Sequence, residues 1–185
     1  MPALNWGLIQ DGGVQESLMH AILYAHDPQT ILFGRPGKDA GQDARAADGT
    51  IVYQSKYRDS LDMDEAVSLA IAELKTIKTY RSTGHANYTH WTNANQWVLF
   101  ANLSINPNDD TKWKTKVVPE FLKEGLTASY WGKEIIEGKL AKVPEVREVF
   151  FGQENRVLVV SFKIGRRVPR RVITRTRTIS AKVRN

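Results

Sequence analysis

Three side chains between residues 43 and 56 are of the types that a hydrolytic metal site needs. Asp43, Gln54 and Lys56 lie in the segment GRPGKDAGQDARAADGTIVYQSKYR, residues 34–58. An aspartate can anchor a hard divalent cation, a glutamine carbonyl can add a neutral oxygen ligand, and a lysine can orient or deprotonate a water. Hydrolysis of a phosphodiester requires these groups, because the cation neutralises phosphate charge and lowers the pKa of its bound water.

A β-hairpin would bring these side chains together. Residues 42–46 and 50–57 have the pattern of two antiparallel strands, with an Asp-Gly turn between them. Alternate residues of a strand face the same way, so Gln54 and Lys56 are expected on one face, with Ser55 pointing to the other. Asp43 would then lie close to both on the neighbouring strand.

Apolar periodicity predicts the elements around this hairpin. The predicted helices are 13–26, 61–81, 112–124 and 133–140, and the other predicted strands are 30–33, 96–103 and 126–131. The buried stripe of the first helix is predicted to contain Val14, Leu18, Ala21, Ile22 and Ala25. The order α-β-β-β-α-β-α-β predicts an α/β fold, with a mixed central sheet flanked by helices on both faces.

Composition and charge narrow the functional classes. No apolar run approaches the roughly 18 residues of a membrane helix, so no membrane partner is predicted. The absence of cysteine excludes disulfides and thiolate zinc sites and fits a cytoplasmic protein. Residues 156–185 carry ten Lys or Arg and no Asp or Glu, whereas residues 1–155 carry sixteen basic and twenty acidic groups. Such a basic segment indicates a polyanionic partner, of which nucleic acid is the commonest, although a solvated tail or linker is an alternative.

The glycine-rich turn before Asp43, the hairpin and the triplet Gln54-Ser55-Lys56 resemble the Mrr-like branch of the PD-(D/E)XK nucleases. The resemblance covers about residues 10–150. It implies a restriction-endonuclease-like αβββαβ core in a domain spanning residues 1–155, followed by a basic β-rich extension or linker at 156–185. Gln54 stands where an acidic residue is more usual in the superfamily, which removes one negative charge from the site.

By this resemblance, the chain is expected to be a divalent-metal-dependent DNA endonuclease using Mg²⁺ or Mn²⁺. Asp43, Gln54 and Glu16 would hold the metal, and Lys56 would position the attacking water. Related domains serve in bacterial restriction or anti-phage defence, often fused to a sensor or NTPase, and a homo-oligomer is a further expectation. The alternative is a catalytically inactive nucleic-acid-binding module of the same fold.

Basic and aromatic residues outside this cluster are candidates for contact with DNA. Lys38, Arg58, Arg175 and Arg177 are the predicted nucleic-acid-binding residues, and the alternation TRTRT would put both of the last two on one strand face. Among the tryptophans, Trp113 is the best candidate for stacking on bases because lysines flank it, although tryptophans more often fill a core.

Overall fold

The computed structural model describes residues 4–34 and 40–152. After a short 3₁₀ helix (Trp6–Leu8), the helices are α1 (Gly12–His26), α2 (Met63–Tyr80), α3 (Tyr88–Trp91), α4 (Pro107–Lys116), α5 (Val118–Lys123), α6 (Lys133–Leu140) and α7 (Pro144–Phe151). The strands are β1 (Ile31–Leu32), β2 (Ala44–Arg45), β3 (Ile51–Lys56), β4 (Gln96–Ala101) and β5 (Thr127–Trp131).

These strands form one mixed sheet in the order β1-β2-β3-β4-β5. The pairs β1–β2 and β2–β3 are antiparallel, whereas β3–β4 and β4–β5 are parallel. The difference follows from the connections, because a tight turn reverses the chain while a parallel neighbour needs a crossover. The predicted α/β class, with a mixed sheet flanked by helices, is confirmed.

Each face of the sheet is covered by its own set of helices. On one face, Val52, Trp97 and Leu99 belong to a core that includes residues of α2, α4 and α5. On the other face, Ala44 and Phe100 belong to a core that includes residues of α1 and α6. The two cores hold β3 and β4 between helical layers, which is why β4 is apolar on both sides.

The predicted buried stripe of α1 is partly wrong. Its buried residues are Gln15, Leu18, Met19, Ile22 and Leu23, whereas Ala25 is exposed. This set keeps the spacing of a helical face but is centred on the larger side chains, which gain more from burial than alanine does. A polar side chain, Gln15, therefore lies at the N-terminal end of the buried stripe.

The predicted helix 112–124 is two helices. Asn106 and Asp109 form a capping box that begins α4 earlier than predicted. Pro119 lies in the first turn of α5, where its missing N–H costs nothing, but it could not continue α4. The helices α3 and α7 were not predicted.

The predicted extension at 156–185 lies outside the described residues. Within the part of the chain that is described, no helix has both the length and the apolar character needed to cross a membrane.

Candidate active site

The hairpin brings Asp43 to β3. The Asp43 backbone N–H donates to the carbonyl of Tyr53 at 3.1 Å, so pairing extends one residue beyond the start of β2. One carboxylate oxygen of Asp43 accepts the backbone N–H of Ser55 at 2.6 Å. Ser55 lies between Gln54 and Lys56, so this hydrogen bond ties the Asp43 carboxylate to the backbone of the strand segment that carries both residues.

Gln54 is buried, with 2% of its surface exposed, and both ends of its amide are bound. The indole N–H of Trp97 donates to Gln54 Oε1, and Gln54 Nε2 donates to Glu73 Oε1 at 3.0 Å. An indole nitrogen is only a donor, which determines which end of the amide faces Trp97. The oxygen predicted to bind metal therefore faces the core tryptophan.

Lys56 forms an ion pair with a residue that the sequence analysis missed. Its Nζ lies 3.3 Å from Glu73 Oε2, and the two side chains are 33% and 17% exposed. Glu73 stands three residues after Ala70 and four before Ile77, both buried on α2. An acidic residue at this spacing on a buried helix face was the signal that could have identified it.

The turn before Asp43 packs against the same cluster. Gly41 has a positive φ of 72°, and a Cβ added there would lie 3.7 Å from Gln54 Nε2 and 3.8 Å from Glu73 Oε1. The indole N–H of Trp91 donates to the carbonyl of Ala40 at 2.9 Å, which anchors the turn to the core. The turn, β3 and α2 thus meet around Gln54.

Helix α1 approaches Asp43 from the opposite face of the sheet. His20 Nε2 lies 2.8 Å from the carbonyl oxygen of Asp43 and 3.9 Å from Glu16 Oε1. Since both partners are oxygen acceptors, this nitrogen acts as a donor. His20 therefore ties α1 to the Asp43 backbone, and Glu16 lies one turn before it on the same helix.

Gln15, also missed from the sequence, connects α1 to β3. This fully buried side chain donates from Nε2 to Ser55 Oγ at 3.0 Å and to the Phe100 carbonyl at 3.3 Å. The Ser55 side chain therefore faces α1, opposite to Gln54, as strand alternation predicts. Gln15 therefore contacts the same residue of β3, Ser55, whose backbone N–H binds the Asp43 carboxylate.

The residues predicted to touch DNA are placed only in part. Arg58 is exposed, and its Nε lies 3.4 Å from Glu65 Oε1. Lys38, Arg175 and Arg177 lie outside the described residues. Trp113, the best candidate among the tryptophans for stacking on bases, is a core residue, as tryptophans more often are: it is 2% exposed and stacks on Trp97 with ring centroids 6.5 Å apart.

The oxygen donors near Asp43 suit a small, hard cation that keeps several waters, and not a cation enclosed by protein side chains. In residues 4–34 and 40–152, no group of three or more His, Cys, Asp or Glu side chains is arranged to hold a metal. Mg²⁺ commonly binds through one or two carboxylates and keeps several waters. Asp43, whose carboxylate binds the Ser55 N–H, and Glu73, which binds Gln54, are carboxylates in this part of the structure.

A neighbouring phenol is unsuited to act as a base. Burial and a hydrogen bond to Asp59 raise the pKa of Tyr57, the residue that follows Lys56. Its phenol therefore stays protonated at neutral pH.

No family model matches the chain, and no curated protein matches it.

Proposed function

We propose that this chain is a divalent-metal-dependent DNA endonuclease with a restriction-endonuclease-like core. The observation that carries the proposal is the 2.6 Å hydrogen bond from the Ser55 backbone to the Asp43 carboxylate, which ties an acidic side chain to the residue that precedes Lys56 on β3. The order α1, β1, β2, β3, α2, β4, with the short α3 between the last two, supports the αβββαβ core that the sequence resemblance implies.

The proposed division of labour follows from the chemistry of each side chain. Asp43 would hold Mg²⁺ or Mn²⁺, and the ammonium of Lys56 would orient the attacking water. When bound, the cation would neutralise phosphate charge and lower the pKa of a water. The hydrogen bond from the Ser55 N–H fixes one carboxylate oxygen of Asp43. It therefore limits the rotation of the whole carboxylate group.

The wider setting is also a proposal. The basic residues from 156 onward would add affinity for the DNA backbone, and the domain would act in restriction or anti-phage defence, with a fused or separate sensor or NTPase as partner. This segment has ten basic residues and no acidic residue, and this charge supports a polyanionic substrate.

Cleavage of supercoiled plasmid tests the proposal. We expect nicking with Mg²⁺ or Mn²⁺ and none with EDTA, and we expect Asp43→Asn and Lys56→Met each to lower the rate at least about a hundredfold. The matched controls are Asp110→Asn and Lys114→Met, which break an exposed ion pair of 2.6 Å and should keep full activity.

Three outcomes separate the possibilities. Full activity of folded Asp43→Asn or Lys56→Met would contradict the assigned site. Salt-sensitive DNA binding without any metal-dependent cleavage would support a non-catalytic nucleic-acid-binding module. Neither binding nor cleavage would overturn both.

A further inference from the structure

Gln15 is a polar side chain in an otherwise apolar buried face of α1. It is 0% exposed, and the other buried residues of the helix are Leu18, Met19, Ile22 and Leu23. Its Oε1 is buried and has no hydrogen-bond partner among the protein groups that the structure describes. Burying an acceptor without a partner lowers stability, and an apolar residue at this position would avoid that loss. The packing of α1 therefore does not explain why a glutamine stands here.

The amino end of the Gln15 side chain has two well-defined partners. Nε2 donates to Ser55 Oγ at 3.0 Å and to the Phe100 carbonyl oxygen at 3.3 Å. A backbone carbonyl is only an acceptor, so the amino end of the amide must be the end that faces the sheet. The glutamine thus supplies donors to β3 and β4, and one of them fixes the side chain of Ser55.

Ser55 extends this contact to Asp43. Its backbone N–H donates to the Asp43 carboxylate at 2.6 Å, and a hydrogen bond to a charged acceptor depends strongly on distance and orientation. Gln15 binds the hydroxyl of the same residue. Helix α1 also binds the Asp43 backbone, because His20 Nε2 donates to its carbonyl oxygen at 2.8 Å. The carboxylate and the backbone of Asp43 are therefore both connected to α1.

We propose that Gln15 is a positioning residue of the candidate site, which acts on the Asp43 carboxylate through Ser55. The inference rests on the proposed function for its catalytic meaning. Gln15 holds Ser55 where its N–H meets the Asp43 carboxylate, and so limits the directions in which that carboxylate can face a cation. A glutamine here favours the geometry of the site over the stability of the core, as residues that support functional sites often do.

Amide hydrogen exchange at residue 55, measured by NMR on the full chain and corrected for its intrinsic rate, tests the inference without a cleavage assay. We expect Gln15→Met and Ser55→Ala each to speed this exchange at least about tenfold relative to the other amides of β3, because the bond to Asp43 is weakened. Since Gln15 acts through Ser55, the double variant should exchange no faster than either single variant.

Plasmid cleavage gives the catalytic part of the test. Each single variant should cleave at least about tenfold more slowly than the unmodified chain, because the anchoring carboxylate is displaced. Ser55→Thr keeps the hydroxyl that Gln15 binds, so it should keep both the slow exchange at residue 55 and the cleavage.

Gln96 and Ser129 provide a matched control. Gln96 Nε2 donates to Ser129 Oγ at 3.2 Å, which is the same pair of groups placed between β4 and β5. Gln96→Met should therefore leave the exchange at residue 55 and the cleavage unchanged.

Circular dichroism establishes that each variant is folded, and Ser55→Ala decides if Gln15→Met does not fold. An equal rise in exchange at all amides of β3, or additive effects in the double variant, would indicate a purely structural role and overturn the inference. Unchanged exchange at residue 55 or full cleavage by folded Gln15→Met would also overturn it. The expected exchange pattern in a chain that cleaves no DNA would instead overturn the proposed function and leave the positioning of Asp43 by Gln15 standing.

Discussion

Gln54 shows how one side chain can serve the core and the candidate site together. A buried amide must satisfy its donors and its acceptor, and here Trp97 takes the acceptor while Glu73 takes a donor. A carboxylate at this position would satisfy Trp97 but would repel Glu73. Given a glutamate on α2 at this distance, glutamine is therefore the better residue when no cation is bound.

This reasoning predicts the behaviour of two substitutions at Gln54. Gln54→Leu removes both hydrogen bonds and leaves the buried indole N–H of Trp97 unsatisfied, so we expect unfolding free energy to fall by about 1–3 kcal/mol. Gln54→Glu should be destabilised in EDTA by repulsion from Glu73 and should regain stability on adding Mg²⁺. Urea unfolding with and without metal measures both effects.

An exposed glutamine provides the comparison. Gln29→Leu, in the turn after α1, should change stability by less than about 0.5 kcal/mol. The interpretation of Gln54 would be wrong if Gln54→Leu were as stable as Gln29→Leu. It would also be wrong if Mg²⁺ gave Gln54→Glu no more stabilisation than it gives the unmodified chain.

At the scale of elements, the turn before β2 sets the position of Asp43. Gly41 adopts a φ of 72°, which L side chains rarely adopt, and a Cβ there would also approach Tyr80 Cε2 to 3.1 Å. The turn is therefore limited both by its own backbone and by α2. A shift of this turn would move the Asp43 carboxylate away from the Ser55 N–H.

We therefore predict that Gly41→Ala impairs both stability and activity. The left-handed conformation should cost about 1–2 kcal/mol for a residue with a Cβ. The steric contact with Tyr80 should in addition lower plasmid cleavage at least about tenfold, since small displacements of a reacting group have large effects on rate.

Gly125→Ala is the matched control for the turn. Gly125 has a φ of 69°, but a Cβ there would meet no atom within 4 Å. Thermal unfolding should show a loss of stability in both variants, whereas cleavage should fall only in Gly41→Ala. Equal cleavage by the two variants would show that the turn does not control the site.

At the scale of the whole molecule, charge is divided between the two parts of the sequence. The first 155 residues carry a small net negative charge, and the last thirty carry ten positive charges. The proposed endonuclease would need to hold a polyanion next to a site that is itself acidic. A basic segment that is separate in sequence from the acidic residues would meet that need. Its attraction to the DNA phosphates would not depend on the groups around Asp43.

This division predicts a specific salt dependence. Replacing Arg175 and Arg177 with Gln should weaken DNA binding for all sequences and reduce the slope of log affinity against log salt by about 1–2 units. Cleavage at saturating protein should persist. Fluorescence anisotropy of a labelled duplex, from low to physiological salt, measures the slope.

A charge-matched control separates this segment from net charge alone. Replacing Lys114 and Lys123 with Gln removes the same charge from exposed ion pairs elsewhere and should change the slope less. If the two double variants have the same slope, phosphate contact is not specific to the segment.

The sequence by itself determined the class of the fold and the arrangement of the hairpin. The five strands and the longer helices were predicted in the right order because their apolar spacing is a local property, set by residues two to four positions apart, whereas α3, α7 and the division of 112–124 into two helices were not predicted. The same local rule separated Gln54 and Lys56 from Ser55, and the structure agrees. The Asp-Gly turn predicted which strands would pair, and so brought Asp43 to β3.

Only the tertiary structure decided which side chains surround these residues. The partners of Gln54 lie 19 and 43 residues away in the sequence, on α2 and β4, and no local spacing predicts contacts of that range. Trp113 was a candidate for the surface for the same reason. Its lysine neighbours show that one face of α4 is polar, but they do not show that the Trp113 ring stacks on Trp97 in the core. Glu73 was overlooked because a helix pattern shows that a residue faces inward, whereas its role depends on the strand that it meets there.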